Sequence, residues 1–168
     1  MALRVILEKG DKTLEKHCRP VTEVTDRIRI LLDDMRDTLL NSGGVGLAAP
    51  QVGVLRRVVL VMDTNQEDKT PAEQIIELIN PEILETEGEQ EGPEGCLSVP
   101  GIFGVVKRPM RVKVRAMNRE GESFEIWGEG LTARAFCHEI DHLDGVLFLE
   151  HSSRILTDEE LEALSEKD

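Results

Sequence analysis

The chain lacks any long apolar run. No stretch of about eighteen apolar residues occurs in it, which excludes a helical membrane span. It is also poor in positive charge: 20 Lys and Arg stand against 33 Asp and Glu, a formal net charge of −13. So acidic a surface repels a phosphate backbone, and DNA or bulk nucleic-acid binding is excluded as its role. Cysteine is scarce and odd in number. Cys18, Cys96 and Cys137 make no disulfide framework, as expected of a chain in a reducing cytoplasm. The opening residues, Met1 to Lys9, meet charge at Arg4 and are too short for a secretory signal. The glycine-rich stretch from Gly43 to Gly46 has no G-K-[ST] ending and no strand directly before it, so it is not a phosphate-binding loop. No internal repeat and no regular βαβ alternation appear.

Histidine is scarce too, and this makes its placement informative. Two of the four histidines fall in Cys137-His138-Glu139-Ile140-Asp141-His142, which reads H-E-x-x-H. A helix returns to one face every 3.6 residues, so His138 and His142 stack and can hold one metal ion. Glu139, about 100° round the helix, is close enough to handle a proton of a water at that ion. Helix formers lead in from Leu131, and Gly145 can stop the helix. Leu131, Ala135, Phe136, Ile140 and Leu143 are too many apolar residues for a surface helix, so a core position is expected.

Two histidines leave a catalytic metal site one protein ligand short. In the longer form H-E-x-x-H-x-x-G-x-x-H a third histidine completes it; here Gly145 matches but Phe148 stands in the last place. Glu159 or Glu160 could serve, as in zinc peptidases that cleave internal peptide bonds. Their surroundings read as a solvated acidic helix. The better candidate is Cys96, in Glu94-Gly95-Cys96-Leu97-Ser98, since a thiolate ligates Zn²⁺ or Fe²⁺ strongly.

A third segment, Gly44-Val45-Gly46-Leu47-Ala48-Ala49-Pro50-Gln51, joins these two, and the three in this order resemble the motifs of the peptide deformylase family. The likeness runs from the start of the chain through Phe148. One departure is Cys137, where many members carry Gln. The resemblance implies one divalent ion on Cys96, His138 and His142, expected to be Fe²⁺, with Zn²⁺, Ni²⁺ or Co²⁺ able to substitute. It implies Glu139 as general base, and the Gln51 amide and Leu97 backbone N–H as donors to the developing oxyanion. Val45, Leu131, Ala135 and the stem of Arg134 would line a methionine pocket, with Glu94 near its mouth. Peptide backbone would pair with edges near Gly46 and Pro100-Gly101-Ile102. Asp141 would form a salt bridge, with Arg108 as partner. The implied substrate is the N-formylmethionyl end of newly made proteins. Some members dock on the ribosome through a long basic C-terminal helix; residues 157–168 here are short and acidic and do not support that. A noncatalytic metal-binding protein would need neither Glu139 nor Gln51.

At 168 residues the chain is expected to form one catalytic domain over 1–168, burying roughly 70% of its unfolded surface. The pattern predicts a helix over 24–41, capped by Thr22 or Thr25, a buried strand over 57–62 and a polar loop over 64–71. Strands follow at 75–79 and 82–86 around Pro81, then a solvated glutamate-rich loop over 85–94. Further strands are expected at 105–107, 112–116 and 123–127, with a turn at 118–121. The fold class expected is α+β, with antiparallel sheets packed around a central metal-binding helix.

Overall fold

The computed structural model describes residues 2–166. Met1 and the end of the acidic tail, Lys167 and Asp168, lie outside the described residues. Helix α1 spans Asp26–Ser42. Thr25 caps it, its hydroxyl accepting from the Ile28 N–H, and Gly43 closes it in the left-handed region at φ 73°. Its buried face carries Ile28, Leu31, Leu32, Met35 and Leu39, at helical spacing.

Strands β1 (Gly46–Ala48), β2 (Val58–Met62) and β3 (Ile75–Glu87) follow, with a short helix α2 (Pro71–Gln74) before β3. Then come β4 (Gln90–Cys96), β5 (Val99–Arg108), β6 (Arg111–Met117) and β7 (Ser123–Glu129). Helix α3 (Leu131–Leu143), strand β8 (Ser152–Ile155) and helix α4 (Asp158–Glu166) complete the chain. The strands form a five-stranded sheet, ordered β1-β2-β3-β6-β7, and a three-stranded sheet, ordered β4-β5-β8. Every pairing between them is antiparallel.

The unbroken apolar run Val58-Val59-Leu60-Val61 has a simple cause: β2 is buried on both faces. Val58 and Leu60 pack towards α1, with Leu32, Met35 and Leu47. Val59 and Val61 point the other way, into a cluster with Ala133, Phe136, Ile140 and Leu143 of α3. Side chains alternate along a strand, so one short strand serves both layers. The five-stranded sheet therefore lies between α1 and α3, in agreement with the α+β expectation.

Two expectations need correction. Residues 75–79 and 82–86 belong to one strand, β3, whose register shifts between Ile79 and Glu82. Pro81 cannot donate to a ladder, and the irregularity accommodates it. Asn80 takes a left-handed φ of 53° there, and its side-chain amide bonds both backbone groups of Val21 at 2.8 and 2.7 Å. The glutamate-rich segment 85–94 is no loop; it completes β3 and forms β4 around a turn at Gly88. Cross-strand cations make that possible: Glu85 pairs with Lys113, Glu87 with Arg111 and Glu91 with Lys107.

Phe136 of α3 is fully buried, and a side chain at Gly128 would meet its ring at 2.5 Å. Phe136→Ala is expected to cost about 3–5 kcal/mol, read as a shift in the urea unfolding midpoint.

Candidate active site

The H-E-x-x-H segment lies on α3, as its spacing requires. The His138 and His142 rings stand 5.1 Å apart, centroid to centroid, in an edge-on arrangement. Cys96 ends β4, opposite Val99 just past a register shift, and its Sγ lies 3.3 Å from His142 Nε2. Among the described residues, Cys96, His138 and His142 form a cluster with one ligand atom from each, all within 4.8 Å of one another.

The surroundings orient these groups. His138 Nδ1–H donates to Glu94 Oε1 at 2.8 Å, which leaves its Nε2 facing the cluster. Phe148, in the position where a third histidine would stand in the longer motif, stacks on the His138 ring at 5.9 Å. The Ser98 N–H and the Gln51 side-chain amide donate towards Cys96 Sγ at 3.4 and 3.6 Å. Gln51 sits in a short 3-10 turn directly after β1. Its Oε1 accepts from the Ala48 N–H at 2.9 Å and its Nε2 donates to Ser98 Oγ at 3.0 Å.

The electrostatics favour a cation. Burial pushes His142 down to about 3, so its imidazole is neutral and free to ligate. Burial opposes charge on His138, but Glu139, Cys96 and Glu94 outweigh it and hold that imidazole well above its ordinary range. One thiol with two imidazoles suits Zn²⁺ or Fe²⁺. Burial also pushes the Glu139 carboxyl up to about 7. Its Oε1 and His142 Nδ1 are buried without a hydrogen-bond partner among the described residues. Gly46 is glycine for want of room: a Cβ there would lie 2.5 Å from Glu139 Oε2.

Glu94 lines the cleft beside the cluster and is only 5% exposed there. A carboxylate at that depth needs partners. It receives Arg108 through Nε and Nη2 at 2.9 and 3.0 Å, and Arg134 through Nη1 at 2.7 Å. Burial alone would raise the Glu94 carboxyl, but the bonds from His138 and Arg108 prevail and hold it down at about 2. Arg108 also reaches Asp141 at 2.9 Å, the salt bridge anticipated from the sequence. Cys137 packs in the core, its thiol raised to about 11 by burial, and takes no part in the ligand cluster.

A cleft of about 480 Å³ opens beside the cluster. Val45, Leu131, Ala135 and Arg134 line it, with Leu97 and Gly46. Leu131 stands at the rim, 46% exposed, while Ala135 is buried. Pro100 and Gly101 border it, Ile102 is exposed nearby, and β1 is a sheet edge. Ser98 and Phe103 were not anticipated. Ser98 is fully buried against Gln51, and the Phe103 ring lies where a side chain on Gly95 would be. A serine between Leu97 and Val99 was the signal for the first; Phe103 gave none. Glu159 and Glu160 are not in the ligand cluster; Glu160 pairs with Arg154, its N–H donates to Thr157 Oγ1 and its carboxylate accepts from the Thr157 N–H.

A thiol and two imidazoles beside a helix-borne glutamate, inside an α+β fold, define the class as a metal-dependent hydrolase. A family model for polypeptide deformylase matches residues 3–157, and the chain belongs to that family. A peptide deformylase of Caldanaerobacter subterraneus subsp. tengcongensis is 54% identical over 166 residues, 99% of each chain. The crystal structure of peptide deformylase from Thermotoga maritima superposes with a TM-score of 0.82 at 39% identity, covering 90% of this chain and 98% of that one. A class I type b peptide deformylase of Acinetobacter baumannii, with Met-Ala-Ser bound, gives a TM-score of 0.80 at 36% identity, over 89% and 98% of the two chains. The family's metal-dependent reaction removes the N-formyl group from nascent peptides, so the reading as a peptidase of internal bonds is set aside.

Gly46→Ala forces the Glu139 carboxylate from its place. Formate release from a formyl-methionyl peptide is expected to fall about tenfold or more, with the circular dichroism spectrum kept.

Proposed function

We propose that Cys96, His138 and His142 hold one divalent ion, Fe²⁺ in the cell, and that Glu139 works beside it as general base. The observation that carries this reading is the convergence of the three ligand atoms beside the cleft, where Cys96, His138 and the buried Glu139 carboxyl form part of its wall. Zn²⁺, Ni²⁺ or Co²⁺ would suit the same donors. When bound, a divalent ion supplies Lewis acidity to the formyl carbonyl and lowers the pKa of a water.

The chain's residues do the rest. Glu139 takes the proton of the attacking water and passes it to the leaving amine. Its burial raises its proton affinity, which suits a group that must accept a proton and return it. As the carbonyl oxygen becomes an oxyanion, the Gln51 amide and the Leu97 backbone N–H donate to it. Gln51 enters that role already oriented, because the Ala48 N–H holds its Oε1 and turns its Nε2 towards Cys96. Val45, Leu131, Ala135 and the Arg134 stem enclose the methionine side chain. The peptide backbone adds along the β1 edge at Gly46 and past Pro100-Gly101-Ile102. Met-Ala-Ser in the Acinetobacter relative is a peptide of the kind such a cleft would release. The products are formate and a free amine.

One catalytic domain over 1–168 would meet nascent chains in the cytoplasm. The described part of its tail, α4, is acidic in its first turn, which argues against docking on ribosomal RNA through that helix. The deciding experiment is formate release from a short formyl-methionyl peptide by anaerobically prepared iron- or nickel-loaded protein. Glu139→Ala should abolish nearly all release with the metal kept; an active variant would remove Glu139 from the base role. Gln51→Ala should lose about 10²–10³ in rate, again with the metal kept. Near-normal turnover there would remove Gln51 from the oxyanion site.

A further inference from the structure

The N-terminal segment belongs to neither sheet, yet it touches both loops that carry the proposed oxyanion donors. Its outer end is anchored on α1. The Ala2 N–H donates to buried Asp34 at 2.9 Å, and the Arg4 side chain reaches the same carboxylate at 2.9 and 3.0 Å. The Arg4 N–H donates to Thr38 Oγ1 at 3.0 Å, and Ile6 packs against the core cluster beneath α1. Further along, the Leu7 N–H donates to the Gln51 carbonyl at 2.7 Å, and the Lys9 N–H to the Ser98 carbonyl at 2.7 Å.

Those carbonyls belong to different pieces of chain. Gln51 is in the turn after β1, and Ser98 is in the turn between β4 and β5. They are 47 positions apart, joined by one side-chain hydrogen bond. Residues two apart in an extended segment present their amides to the same side. Leu7 and Lys9 therefore form a ruler of fixed length laid across the two turns. Cys96 and Leu97 lie directly before Ser98, so the ruler sets the Gln51 amide against the sulfur and the Leu97 N–H.

We infer that Leu7 and Lys9 are positioning residues for deformylation, acting through backbone N–H groups, with Asp34 and Thr38 as the remote anchor. This rests on the deformylase reading of the site. A misplacement of about 1 Å at such donors can cost up to about 10²-fold in rate.

The test compares Lys9→Pro, which removes the N–H, with Lys9→Ala, which keeps it. Formate release by the metal-loaded wild type is measured first; no release would overturn the deformylase reading itself. With an active wild type, Lys9→Pro should show kcat about tenfold or more below Lys9→Ala, with KM within about twofold and full metal content. Equal kcat in the two variants, even with a lowered melting temperature, would overturn the inference, since a merely structural tie moves stability alone. Amide hydrogen exchange on the wild type guards against a Pro variant that does not fold. Leu7 and Lys9 amides should exchange about 10²-fold or more slower than those of a free peptide, and free-peptide rates at both would overturn the inference.

Discussion

The buried Glu94 carboxylate is the constraint on which the site depends. A lone charge at that depth would cost several kcal/mol, and removing any partner leaves the others unbalanced. Its three partners come from two elements: Arg108 from the end of β5, and Arg134 and His138 from successive turns of α3. A single β4 side chain thereby fixes where α3 lies against the three-stranded sheet. It also dictates which nitrogen of His138 faces the cluster. Arg108 carries the tie on to Asp141, one residue before His142, so both histidines are braced from the same sheet.

Packing supplies the complementary restraint. On its other side α3 presses Ala133, Phe136 and Ile140 against β2 and β6. The helix is held by apolar contact on one flank and by ion pairs on the other. Such a mount suits a site where the proposed ligands, base and oxyanion donors sit on four separate pieces of chain. Cys96 comes from β4, Leu97 and Ser98 from the turn after it, Gln51 from the turn after β1, and the rest from α3.

What the amino-acid sequence disclosed followed from local rules. The i, i+4 histidines, the capping Thr25 and the strands over 112–116 and 123–127 each depend on near neighbours, and each appears where expected. The misreadings share a different physics. Glu85, Glu87 and Glu91 look like solvated loop until the cations opposite are known, and those lie on other strands. The partners of Glu94 were hidden for the same reason: nothing near it in sequence says that two arginines and a histidine surround it. The shift at Asn80 depends on Val21, a contact spanning 59 positions. Phe103 was unreadable because its place is set by the missing side chain of Gly95.

The spacing of the ligands along the chain bears on how the protein is made. His138 and His142 come together as soon as one helical turn forms, whereas Cys96 reaches His142 across 46 positions. Closing so long a loop is entropically unfavourable until the hairpin of β4 and β5 docks on α3. An ion arriving early meets two imidazoles on a bare helix, a weak and unselective pair. One arriving after docking meets a complete three-donor cage. With the ligands proposed above, metal uptake would be a late folding event, and the identity of the ion would be decided by what the cell offers once the hairpin has closed.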